Sequence, residues 1–117
     1  MSELNKTTLE RANAAVRAGD NEGFLSFCTD DIVWSTVGGE TLRGKQAVRD
    51  WMTKEYVAPP SFTVERLVAE GDFVVALGTI ASSADDGTRL DNAYSDVWRF
   101  CDGKMAELRA FVIPTGT

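Results

Sequence analysis

Four β-rich runs separated by tight Asp and Gly turns constrain this chain more than any other feature. Residues 61–70, 73–83, 88–101 and 104–113 are dense in Val, Phe, Thr, Tyr and Trp. They are separated by Gly71-Asp72, by Asp85-Asp86-Gly87 after Ala84, and by Asp102-Gly103. Short connections of this kind tolerate positive φ and close hairpins. The second half therefore predicts an antiparallel meander of four strands. Each run has ten or more residues, against ~5–6 for an ordinary strand. Long strands coil, so the sheet is expected to curve strongly.

The first half reads as helices. Thr7 and Glu10 have the spacing of a capping box, which would start a helix there. Leu9, Ala12 and Val16 follow at helical spacing, Gly19 stops the helix and Asp20 caps the next. That second helix is short, carries Phe24, Leu25, Phe27 and Cys28 on its apolar side, and ends at Thr29-Asp30-Asp31. Residues 32–37 read as a short strand and 41–43 as another. Gly44 opens a third helix whose Val48, Trp51, Met52 and Glu55 share one face. Pro59-Pro60 ends it. The expected fold is α+β: a single domain over 1–117, a cone-shaped barrel with three N-terminal helices on the concave face of a mostly antiparallel sheet. Such a cone has an interior, and an interior is a natural ligand pocket.

Alternation assigns the faces. In 88–101, Leu90, Asn92, Tyr94, Asp96, Trp98 and Phe100 share the more aromatic side, expected to face inward. In 104–113, Ala106, Leu108, Ala110 and Val112 form an all-apolar side, also expected inward. The opposite side has Met105, Glu107, Arg109, Phe111 and Ile113. That mixture of charge and bulk suggests an outer face that pairs with a second copy as a two-fold homodimer. Scattered surface apolar residues are the plainer alternative.

Composition excludes several chemistries. There is no histidine, so Ser-His-Asp and Cys-His catalysis and His-ligated metals are out. Proton transfer falls to a carboxylate, Tyr, Lys, Cys or water. Twelve basic against eighteen acidic residues leave a net charge of −6, which argues against nucleic acid and anionic membrane as partners. Cys28 and Cys101 are too few and too far apart for a zinc site or a disulfide framework. Few cysteines and no signal-like leader suit a cytoplasmic protein. Asp30-Asp31 and Asp85-Asp86 read as caps and turns rather than metal ligands. No metal or organic cofactor is called for.

Three runs carry a family resemblance: AGDNEGFLSFCTDDIVW, GKQAVRDW and SDVWRFCDGKMAELRAF. In this order, over nearly the whole chain, they resemble the nuclear transport factor 2-like superfamily. Within it they are most similar to SnoaL-like polyketide cyclases and ketosteroid isomerases. The resemblance implies the cone fold; it leaves function open, because this fold hosts enzymes, carriers and interaction modules. The isomerases use a carboxylate base, a Tyr and a protonated Asp, the last a known case of a carboxyl held neutral by an apolar site. Those positions fall on Thr36, Ala12 and Asp96, so one group of three is kept. The related limonene epoxide hydrolases use an Asp-Arg-Asp group; its last acid falls on Ile113 and its Arg-x-Asp near Thr79 and Ala81.

Asp96 is thus the candidate catalytic residue. Set among Tyr94, Trp98, Trp34 and Trp51, it should resist ionisation, and would act as hydrogen-bond donor or general base. The alternative is an Asp satisfied by a backbone N–H or by an Arg at the mouth. Trp34, Thr36, Trp51, Tyr56, Asn92, Tyr94 and Trp98 are candidate ligand-binding residues. Flat aromatic walls suit a small apolar or aromatic molecule, while core filling explains each Trp equally simply. Three readings follow: a cofactor-independent isomerase, cyclase or dehydratase; a ligand-binding module without turnover; or a dimeric interaction module with a filled barrel.

Overall fold

The computed structural model describes residues 2–83 and 86–116. Its elements are α1 (Ser2–Arg17), α2 (Asn21–Leu25), β1 (Cys28–Thr36), β2 (Thr41–Arg43), α3 (Lys45–Glu55), β3 (Phe62–Glu70), β4 (Phe73–Ser83), β5 (Arg89–Cys101) and β6 (Lys104–Gly116). The six strands form one sheet in the order β2-β1-β6-β5-β4-β3. All neighbours are antiparallel except β1 and β6, which run parallel. The helices pack on the concave face, so the architecture is the expected α+β cone.

Local rules account for most boundaries. Gly19 (φ 76°) terminates α1 in the left-handed region. The Asp20 side chain then accepts from the Gly23 N–H at 2.9 Å and caps α2. Three boundaries differ from the sequence reading. Thr7 does not start a helix: it sits inside α1 and donates to the Glu3 carbonyl at 3.1 Å, the back-bonding Thr makes within a helix. Cys28 belongs to β1, not α2, and the strand swallows Thr29-Asp30-Asp31. The reason is tertiary: Cys28 pairs with Met105 of β6, and a neighbouring strand outweighs weak local helix preference. β6 also runs beyond Ile113, through Pro114, to Gly116. There β1 has already ended opposite Ala110, so one side of β6 is a free edge, where proline is tolerated.

The faces of β5 are as the alternation predicts: Asn92, Tyr94, Trp98 and Phe100 are buried, and Arg89 and Asp91 are exposed. The assignment on β6 needs two corrections. Met105 is fully buried in the core rather than on the outer face. A register shift puts it opposite Phe100, while Glu107 stays opposite Arg99. The extra residue reverses the side on which Met105 lies. Val112, expected inside, is 43% exposed, because it lies past the last paired residue of β1. The core gathers Leu9, Ala12 and Val16 of α1, Phe24 and Leu25 of α2, and Val48 and Met52 of α3 against the inner sheet face. The turn expected at Asp85-Asp86-Gly87 is partly visible: Asp86 accepts from the Thr88 N–H at 2.9 Å, and Asp85 lies outside the described residues.

Candidate functional site

The register places each inward side chain on a grid. Across the sheet, Trp98 lies between Leu108 and Val74; Asp96 lies between Ala110 and Ala76; Tyr94 lies between Val112 and Gly78. The flanking groups shrink from the Trp98 row to the Asp96 row. Two alanines flank the carboxyl where Leu and Val flank the row below. Gly78 is small for a related reason. A Cβ there would meet the Tyr94 ring at 2.9 Å and run into the Thr63 carbonyl oxygen.

Above Asp96 stands a connected aromatic wall. The Trp34 ring contacts Phe24 (5.9 Å), Trp51 (5.4 Å) and Trp98 (5.9 Å). Trp51 meets Tyr56 edge to face at 5.0 Å. β1 supplies Trp34, β5 supplies Trp98, and α3 and its C-cap supply Trp51 and Tyr56. Trp34, Trp51 and Tyr56 are only partly buried, so the wall is open along one side. Sequence reasoning missed Phe24 as part of this wall, and missed Ala76, Gly78 and Ala110 as the residues that make room. The signal for the latter was present: small residues at the alternation spacing on the strand facing an aromatic one.

Asp96 has no hydrogen bond and no ion pair among the described residues. The alternative of an Asp held by a backbone N–H or an Arg is therefore not what the structure shows. Burial without compensation disfavours the charged form and pushes Asp96 up to about 7. Its charge in turn reaches two phenols. Burial first, then Asp96, raises Tyr56 above its ordinary value. The same two causes push Tyr94 up to about 12, with Arg17 opposing. Among the described residues, Thr29 Oγ1 is the one side-chain polar atom both sealed from solvent and unpartnered. The Asp96 oxygens, unpartnered but not sealed, thus open on accessible space.

Two other candidates lie apart. Thr36 shares the Asp96 row but is two strands away, with Ala110 between them, which is ~10 Å at the usual strand spacing. It is exposed, in the turn that leads to β2. Asn92 is buried, but its Nδ2 donates to the Ile80 carbonyl (3.0 Å), Ser82 Oγ (3.0 Å) and the Leu90 carbonyl (3.5 Å). It serves the β4–β5 hairpin, four residues along the strand from Asp96. Two surface clefts also lie away from Asp96. One of about 590 Å³ runs between α1 and β3, past Lys6, Glu10, Arg17 and Glu65. One of about 330 Å³ touches Phe62, Ile80, Arg89 and Asn92. Asp96 is marked by its surroundings rather than by the size of a cleft. Burial pushes the Cys28 thiol up to about 12, so it is inert at neutral pH.

A curved sheet capped by helices, with an acid inside an aromatic cone, defines a class of α+β cone proteins. A family model described as a SnoaL-like domain matches residues 9–108. The chain belongs to the SnoaL-like family, within the nuclear transport factor 2-like fold. No curated protein matches it. Among solved structures, it is similar to a nuclear transport factor 2-like protein of unknown function from Burkholderia pseudomallei. Identity there is 23% and the TM-score 0.82, over 94% of this chain and 90% of that one. An LEH-like epoxide hydrolase from M. tuberculosis is 19% identical with a TM-score of 0.83, over 95% and 84% of the two chains. TerC, crystallised with polyporic acid, is 22% identical with a TM-score of 0.80, over 92% and 89%. Likeness at these identities shows the fold.

Proposed function

We propose that this chain is a small-molecule pocket protein in which Asp96 exchanges protons with a small cyclic substrate, as an isomerase, cyclase or dehydratase without metal or organic cofactor. The observation that carries this reading is the state of Asp96: an unpartnered carboxyl beside two alanines, under an aromatic wall. A carboxyl poised near 7 can both take and return a proton at neutral pH. The base lost at Thr36 is then not needed. Asp96 removes a proton from carbon next to a ring carbonyl, the Tyr56 hydroxyl donates to the developing oxyanion, and Asp96 returns the proton elsewhere. Relatives of this fold that act on an epoxide or hold polyporic acid support a cyclic ligand. Two unpaired thiols, Cys28 and Cys101, fit a reducing cytoplasm.

The test is deuterium exchange. A panel of cyclic enones is incubated in D₂O with the protein, and proton loss next to the carbonyl is followed by NMR. The expected result is exchange that Asp96→Asn slows at least ~100-fold. Equal exchange by wild type and Asp96→Asn would sink the mechanism.

A second reading rests on a different observation. The outer sheet face presents Leu77 (37% exposed), Phe73 (46%) and Ile113 (63%), with Phe111 and Val97 half-buried between them. Its charges are partly neutralised, since Arg99 pairs with Glu107 at 3.2 Å. This face fits a two-fold homodimer built around Glu107, Arg109, Phe111 and Ile113, without Met105. Sedimentation of wild type and Ile113→Glu checks it: a dimer that Ile113→Glu dissociates supports the interface, and a monomeric wild type removes it.

A further inference from the structure

The aromatic wall and the unpartnered acid together carry a statement about ligand charge. Beside Asp96 stand Tyr94 and Trp98 on its own strand, and Tyr56 is close enough to feel its charge. Trp51 and Trp34 continue the wall from Tyr56 back to Trp98. Neighbouring rings meet at steep angles, 72° for Trp51 with Tyr56 and 82° for Trp34 with Trp98. The rings pack edge to face or tilted on one another, and Trp34, Trp51 and Tyr56 keep part of their surface exposed. Ring faces carry negative partial charge and attract cations, most strongly when water is excluded. The anion at Asp96 adds to the same field. The charged groups that reach this neighbourhood are Arg17, at the end of α1, and Glu55 and Glu65, and all three act on the tyrosines. Arg17 is engaged elsewhere, its guanidinium 4.2 Å from the centroid of Phe62. No cationic side chain pairs with Asp96 among the described residues. The protein as a whole carries −6. Asp96 and the ring faces thus favour positive charge, and the one cation that reaches them, Arg17, is engaged with Phe62.

We infer that the Asp96 pocket takes a ring compound bearing a positively charged nitrogen, whose ammonium sits against Asp96 with its apolar part along Trp34, Trp51 and Tyr56. The ligand supplies the counter-charge that the protein withholds. This rests on the reading of Asp96 as an acid open to a pocket; a cation held there keeps the carboxylate ionised, so Asp96 acts here as a binding anion and not in the proton transfer proposed above. The two flanking alanines give the nitrogen substituents room, and the partly exposed edge of the wall gives a way in.

The test is tryptophan fluorescence titration with three probes of similar size: benzyltrimethylammonium, benzyl alcohol and phenylacetate. The first has a permanent charge, so any pH dependence belongs to the protein. The expected result is saturable quenching by benzyltrimethylammonium, at least tenfold tighter than by either other probe at pH 8. Its affinity should fall about tenfold per pH unit below 7, as the proton displaces the cation at Asp96. Asp96→Asn, which keeps the side-chain shape, should weaken the ammonium at pH 8 by tenfold or more and remove the pH dependence, with circular dichroism confirming the fold. Binding of benzyl alcohol or phenylacetate that depends on Asp96 and matches or exceeds the ammonium overturns the inference while leaving the pocket standing. Quenching by none of the three overturns the inference and the open pocket together.

Discussion

Two adjacent rows of one strand solve opposite problems. The Trp98 row has Leu108 and Val74 beside Trp98, Trp34 beyond Leu108, and Phe24 of α2 against it. It is filled and sealed. The Asp96 row, two residues along β5, has alanines at both sides and, among the described residues, no polar partner for its acid. Strand and face are the same; the size of the cross-strand neighbours differs. Along one face of β5 the sheet sets small neighbours beside Asp96 and large ones beside Trp98.

The filled row carries the largest expected effect. Trp98→Ala removes the largest side chain there, and should cost ~3–5 kcal/mol, read from urea denaturation. A cost under ~1 kcal/mol would mean that the row is not the packed floor described here.

The open row has a signature of its own. Asp96 has a raised folded-state value, so between about 4 and 7 the folded protein holds a proton that the unfolded chain has lost. Stability from this group is present below its unfolded value and is lost as pH rises through 7. The loss is on the order of 2–4 kcal/mol for a largely buried group. Asp96→Asn should remove this slope and be more stable than wild type at pH 8. Thermal melts of both proteins from pH 5 to pH 8 check it; parallel curves would contradict it.

Gly78 sharpens the contrast between rows. Gly78→Ala puts a methyl group against Tyr94 and the β3 backbone. Overpacking of this kind costs ~1–3 kcal/mol, and should shift the Tyr94 ring signals in NMR. The smallest effect lies on the outer face. Arg99→Ala breaks the partly exposed pair with Glu107, and should change the denaturation midpoint by no more than ~1 kcal/mol.

How far the sequence reached follows the same physics. The four-strand meander, the faces of β5 and the third helix were legible, because alternation and Asp/Gly turns are local signals. Asp96 was legible as an acid in an aromatic row. Met105 was not, because a register shift between β5 and β6 has no local mark in the sequence. Nor was the start of β1, which is decided by a partner 77 residues away at Met105. Thr36 and Asn92 share the inward face with Asp96, but distance along and across the sheet separates them from it. Face membership can be read from a period of two; proximity needs the register.

Asp96 stands at the centre of the site as a partly buried carboxyl without a polar partner among the described residues. The most direct measurement is a pH titration of carboxyl ¹³C shifts in Asp-labelled protein, with Asp96→Asn used to assign the signal. The account predicts one aspartate with a midpoint near 7, missing from Asp96→Asn. An Asp96 signal with its midpoint near 4 would contradict it, and would mean that the acid is solvated or paired and the cone has no special chemistry at its centre.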